Sequence, residues 1–189
     1  VISNDKLAQV VIELARVLKP DGHCYIMCDQ ETHYVIRDVC MAMQAQKPKP
    51  KNAFAWKKFL VWDKVNMGTG YSWRAQHEVV CFLEKGYRRL NSNSWSDVLK
   101  HKKVYNGYPT EKPVSLYKEI IENSSQPGDV IFDPFAGSGA GLEAACEAGR
   151  HAIGIEIKAS QAPSIASRLE QYTASDELFV AREQMAFAL

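Results

Sequence analysis

Apolar residues recur along the chain in two rhythms. Leu7, Val10, Val11, Leu14 and Leu18 fall at helical spacing behind Asn4 or Asp5, either of which can cap a helix. Lys19-Pro-Asp-Gly22 is a turn signal, and Cys24-Tyr-Ile-Met-Cys28 then predicts a buried strand ending at Asp29. A second helix is expected from Thr32 to about Met43. Phe59-Leu-Val-Trp62 and Glu78-Val-Val-Cys-Phe-Leu83 predict further strands, with Asn66-Met-Gly-Thr-Gly-Tyr71 as a loop between them. Pro113 can open a helix whose buried face is Val114, Tyr117, Ile120 and Ile121. Pro163 can open another, running through Leu169 and Tyr172. The tail, Leu178 to Val180 and Met185 to Leu189, is apolar in pieces and fits neither rhythm.

The densest pattern lies between those last two helices. Val130-Ile-Phe132 is short and apolar, as a buried strand requires, and it runs into Asp133-Pro134 and the glycine-rich Gly137-Ser-Gly-Ala-Gly141. Leu142 to Ala148 reads as a helix stopped by Gly149, and Ala152 to Ile157 as a second strand. Strand, glycine turn, helix and strand make a βαβ unit with a parallel pair. Gly137 and Gly139 remove side chains where a ligand approaches the backbone, and the new helix turns free N–H groups toward it. Leu142 stands where a dinucleotide fingerprint has its third glycine, so the spacing disfavours a pyrophosphate. Glu156, roughly twenty residues on, ends the second strand where an acid can hold ribose hydroxyls. A ligand with an adenosine half and no pyrophosphate suits this turn; the plainer alternative is a tight structural turn.

Composition narrows the class. The 189 residues are 46% hydrophobic and 24% charged, ordinary values for one globular domain with a sizeable core. The net charge of +1 means that nucleic-acid affinity must come from local patches. No apolar run approaches membrane-span length, and no signal-peptide pattern is present at the N-terminus. The five cysteines are odd in number and lie mostly in apolar runs, which points to reduced thiols in a cytoplasm. Cys24 and Cys28 share a strand face, but no second ligand pair follows, so no metal site is expected.

Asp133-Pro-Phe-Ala-Gly-Ser-Gly139 resembles the S-adenosylmethionine motif of the DNA amino-methyltransferases, which modify adenine N6 or cytosine N4. Tyr108-Pro-Thr-Glu-Lys-Pro-Val114 resembles their other cofactor motif, usually His-Pro-Thr-x-Lys-Pro, with Tyr108 in place of His. The order of the two motifs matches the circularly permuted group, whose catalytic segment is N-terminal, and the likeness runs from about Asn4 to Tyr172. It implies a Rossmann-like α/β methyltransferase fold, a mostly parallel sheet with helices on both faces. It also implies that Asp133, Phe135, Gly137, Ser138 and Gly139 form the cofactor turn. Thr110 and Lys112 would then handle the methionine end, and Glu156 the ribose. Tyr71-Ser-Trp-Arg-Ala-Gln-His-Glu78 resembles a family segment beside the target base, although a plain strand entry explains it equally well. The resemblance puts Arg74, His77, Lys102 and Lys103 on the DNA side. Residues 87–108 form a short candidate DNA-contacting insertion, where cations neutralise phosphates and aromatics stack on bases. The basic loop Lys47-Pro-Lys-Pro-Lys51 reads more simply as a solvated loop. Double-stranded DNA is the implied partner, and the resemblance leaves room for a second copy of the chain and for a restriction endonuclease.

The family's catalytic motif, Asp-Pro-Pro-Tyr or Ser-Pro-Pro with an aromatic, does not occur in the sequence. The expectation is therefore a single methyltransferase domain, 1–189, lacking its N-terminal strands, with catalytic residues unassigned. Three readings follow. The first is methyl transfer from S-adenosylmethionine to a DNA amino group, with adenine N6 preferred on family frequency. The second is a methyltransferase of another substrate, and the third a cofactor-binding fragment or remnant without chemistry. A nicotinamide-dependent dehydrogenase is more distant on glycine spacing.

Overall fold

The computed structural model describes residues 3–105 and 110–172. Tyr108 and the tail beyond Tyr172 lie outside the described residues. The chain divides into two compact units, 1–102 and 103–189.

The first unit is a mixed sheet under two helices. Helix α1 (Asn4–Val17) buries Leu7, Val11 and Ala15, one stripe at fourth-residue spacing. Pro20 follows closely, and Asp21 takes φ 57° to turn the chain into strand β1 (Gly22–Cys28). The carbonyls left open at the end of α1 are met by a buried ammonium: Lys85 Nζ donates to Ala15 O at 2.7 Å and also to Leu18 O. Helix α2 (Thr32–Ala45) is capped by Asp29, whose Oδ1 accepts the N–H groups of Glu31 at 3.0 Å and Thr32 at 2.6 Å. Hydrogen bonds from the Thr32 side chain, then from the Thr32 N–H and more weakly from the Glu31 N–H, hold the Asp29 carboxyl below its usual range.

Strands β2 (Ala55–Asp63), β3 (His77–Lys85) and β4 (Val98–Lys100) complete the sheet in the order β1-β3-β2-β4. Strand β3 runs antiparallel to both β1 and β2, while β4 joins β2 in parallel. As an inner strand, β3 is buried from Val79 to Lys85. Alternation sends Cys24, Ile26 and Cys28 into a core with Ile36, Cys40, Cys81 and Leu83. There Cys28 Sγ lies 3.5 Å from Cys81 Sγ, and burial pushes the Cys24 and Cys40 thiols up to about 12. Buried thiols of this kind are poor nucleophiles.

The second unit is built around a parallel pair. Helix α3 (Val114–Ser124) buries Leu116, Ile120 and Ile121 behind Pro113. Arg150 closes the far end of α3, donating to Ser125 Oγ at 2.9 Å and Ser125 O at 2.7 Å. Strand β5 (Val130–Asp133) pairs in parallel with β6 (His151–Gly154), and helix α4 (Ala140–Glu147) crosses between them. Ile131 and Ala152 pack under Ile121, Ala144 and Ala145. Gly149 takes φ 73° just past α4, the C-terminal stop that its position announces. Helix α5 (Ala162–Leu169) follows, with Pro163 in its first turn. Among the described residues, no helix is long and apolar enough to cross a membrane, and no His, Cys, Asp and Glu cluster could hold a metal ion.

Candidate functional site

The turn after β5 is drawn together by two carboxylates. Asp133 Oδ1 accepts the N–H of Phe135 at 3.0 Å. Glu156 binds the turn from the opposite side: Oε2 accepts the Gly137 N–H at 2.8 Å, and Oε1 accepts the Lys158 N–H at 2.9 Å. Glu156 does not end the strand as the apolar run suggests. Pairing closes at Gly154, and Glu156 lies two residues further, folded back onto the glycines. Ile155 joins the two segments by accepting from Ala136 N and donating to Asp133 O, both at 2.9 Å. A carboxylate has about four lone-pair positions, so Glu156 keeps acceptor capacity after its two backbone bonds.

Each glycine has a distinct reason. Gly137 and Gly139 take φ 54° and 82°, a region costly for side chains. In the Cβ direction Gly139 faces protein and not an open site, because a Cβ there would meet Ile165 at 3.3 Å and the stem of Arg168 at 3.6 Å. Gly141, in the first turn of α4, makes room for Asp133: its Cβ would stand 2.9 Å from Asp133 Oδ2. Phe135 is exposed at the rim of the turn, and Ser138 is half-buried.

Burial pushes the Asp133 carboxyl above its ordinary range, and Glu156 pushes the same way, against the Phe135 N–H and the positive charge of Lys112. Lys112 therefore acts electrostatically on the turn from the segment Thr110–Pro113, while Thr110 is exposed. Between them Glu111 is buried at 4% exposure and points elsewhere, with Oε1 2.6 Å from Arg168 NH2. Nothing in the sequence distinguishes Glu111 or Arg168 from solvated charges; their pairing joins positions 57 apart. Gly141 was visible as a third glycine, but its reason required the position of Asp133.

The residues expected on the DNA side fall at several places. Arg74 is exposed on the loop between β2 and β3, where its Nε donates to Gly68 O at 2.8 Å. His77 opens β3 opposite Asp63, and Gln30 Nε2 donates to His77 Nε2 at 3.1 Å. Tyr71 and Trp73, on the same loop as Arg74, are fully exposed. Lys102 is exposed, and the Lys103 ammonium stands 5.3 Å from the Tyr105 ring centre. Within the segment 87–105, residues 98–100 return to the sheet as β4, fastened by Trp62 Nε1–H donating to His101 O at 2.8 Å.

Comparison with known proteins gives this geometry its context. Over 114 residues the chain is 38% identical to the putative methylase YubD of Escherichia coli, covering 59% of this chain and 44% of that protein. Over 192 residues it is 28% identical to the DNA adenine methyltransferase YhdJ of Escherichia coli, covering 81% of this chain and 62% of that one. The chain thus spans less than two thirds of the length of either relative. Among solved structures, the M1.HpyAVI–SAM complex superposes with a TM-score of 0.76 at 23% identity, covering 88% of this chain and 83% of that one. That likeness establishes a Rossmann-like α/β fold of the methyltransferase type. Residues 5–167 match the model of the family described as DNA methylase (N6_N4_Mtase), and with the glycine turn, its acidic partner and the Pro-Thr-Glu-Lys-Pro segment in that stretch, the chain belongs to this family.

Proposed function

We propose that the chain is the S-adenosylmethionine-binding part of an enzyme that methylates an exocyclic amino group of a base in DNA, with adenine N6 as the acceptor. The observation that carries this reading is the Glu156 carboxylate hydrogen-bonded to Gly137 N–H at 2.8 Å. It puts an acid with spare acceptor capacity beside the glycines of the turn. Asp133, Phe135, Gly137, Ser138 and Gly139 would line the cofactor, Glu156 would accept from its ribose hydroxyls, and Thr110 and Lys112 would receive its methionine end. A lysine ammonium suits that carboxylate. The cofactor, when bound, supplies a methyl activated by its sulfonium. The preference for adenine is supported by the likeness to YhdJ, a DNA adenine methyltransferase.

For DNA, the reading uses Arg74, His77, Lys102 and Lys103 as phosphate-side groups. The exposed rings of Tyr71 and Trp73 offer faces on which an extruded base can stack. An amino lone pair delocalised into a base ring must be held in line with the methyl, and no residue of this chain is assigned that task. The motif order supports the permuted group, and the bacterial relatives support a bacterial cytoplasm. A second reading, cofactor binding without transfer, is supported by the absence of Asp-Pro-Pro-Tyr from the 189 residues.

Calorimetric titration of the 189-residue chain with S-adenosylhomocysteine tests the reading. One-to-one binding is expected, weakened about 10- to 100-fold in Glu156→Ala, as loss of charged hydrogen bonds predicts. Equal affinity in wild type and variant would remove Glu156 from the site. Transfer of labelled methyl to DNA, with the modified nucleoside identified by mass spectrometry, separates the two readings and the two bases.

A further inference from the structure

We propose that Arg168 is a positioning residue that fastens the Thr110–Pro113 segment to the glycine turn through the buried carboxylate of Glu111. The proposal rests on reading this region as the methyl-donor site. Arg168 stands in the last turn of α5. Its NH2 lies 2.6 Å from Glu111 Oε1, and its Nε lies 3.4 Å from Glu143 Oε2 in the first turn of α4. Its aliphatic stem passes 3.6 Å from the point where a Cβ on Gly139 would stand. One side chain therefore pairs with the segment carrying Thr110 and Lys112 and with the start of the helix behind the glycine turn, and its stem passes beside that turn.

The chemistry makes this contact binding on the segment. Glu111 is 4% exposed, and a buried carboxylate without a cation is expensive. Glu111 must therefore follow Arg168, and its neighbours follow Glu111. Glu111 is turned toward α5, and the positive charge of the adjacent Lys112 acts on the Asp133 carboxyl. A guanidinium can serve two carboxylates from separate nitrogens, whereas an ammonium presents a single point. Neither Glu111 nor Arg168 needs to touch a ligand. Both act through the placement of Thr110, Lys112 and Gly139.

The test uses the 189-residue chain with Arg168→Lys, Glu111→Gln and the double variant Glu111→Gln/Arg168→Met, which removes both charges of the buried pair and with them the 3.4 Å contact to Glu143. Three quantities are read: S-adenosylhomocysteine affinity, melting temperature, and amide hydrogen exchange over residues 111–116 without ligand. The expected result is affinity lower by about tenfold or more, the scale of a misplaced binding group. Exchange over 111–116 should rise, and melting should shift by no more than about 4 °C. The double variant should lose no more affinity than the worse single one, since the residues act as one unit. Unchanged exchange over 111–116 overturns the fastening, whatever the ligand does. Raised exchange with wild-type affinity overturns the positioning role. A wild-type chain that fails to bind overturns the methyl-donor reading, and exchange still decides separately whether Arg168 holds the segment.

Discussion

Asp133 and Gly141 form a pair of opposed requirements. The carboxylate is held in a partly desolvated place, and the glycine leaves the space it occupies. Gly141→Ala replaces a poor helix former by the best one, a gain that in the first turn of α4 stays below the ~1 kcal/mol of an interior position. Its methyl would also stand 2.9 Å from Asp133 Oδ2, which must move. The expected outcome is an unchanged or higher melting temperature together with weaker S-adenosylhomocysteine binding, read by calorimetry on the same sample. Asp133→Asn separates charge from shape. The carboxyl is raised in the folded chain, so the folded state holds its proton where the unfolded state has released it. Stability from this group is present below the ordinary carboxylate value of about 3.9 and is lost as pH rises through the raised one. The Asn variant lacks this loss. Its melting advantage over wild type should therefore grow as pH rises from about 3.5 and then level off; an advantage independent of pH would mean that Asp133 carries no raised carboxyl.

At the scale of elements, short strand β4 is held by more than its ladder. Three residues pair with Val61–Asp63, and Trp62, itself 1% exposed, donates to the carbonyl of His101 just beyond. Trp62→Phe removes that donor and leaves a void. A loss of about 1–3 kcal/mol is expected in denaturant unfolding of the chain, most of it from the unmet carbonyl and the lost volume. The elements themselves were largely legible. Leu7, Val11 and the alternating Cys24, Ile26 and Cys28 face the core that their spacing announces. Two details were not legible. Strand β4 has only three residues, Val-Leu-Lys, too few to carry a period. Glu156 lies past its strand because pairing, not the apolar run to Ile157, decides where a strand ends.

For the whole molecule, a net charge of +1 cannot attract DNA from a distance, so affinity must arise from particular cations. If Arg74, Lys102 and Lys103 neutralise phosphates, each substitution to Ala should reduce the slope of log affinity against log salt by about one. Fluorescence anisotropy of a labelled duplex at several salt concentrations measures it. A variant whose affinity falls with the slope intact would place its residue away from the phosphates.

The sequence by itself determined the βαβ unit, the glycine turn and the acid about twenty residues beyond it. Those features follow from local rules: period, breakers and the φ that glycine alone adopts freely. It also determined the family, because the two cofactor segments are contiguous runs. Only the tertiary structure decided why Gly139 and Gly141 are glycines, since both are fitted to residues distant along the chain, Ile165 and Asp133. Only it assigned Asp29 to capping α2, and only it joined Glu111 to Arg168 across 57 positions. Such choices are made by packing and by the cost of leaving a buried charge unpaired, and neither is written into the local spacing of residues.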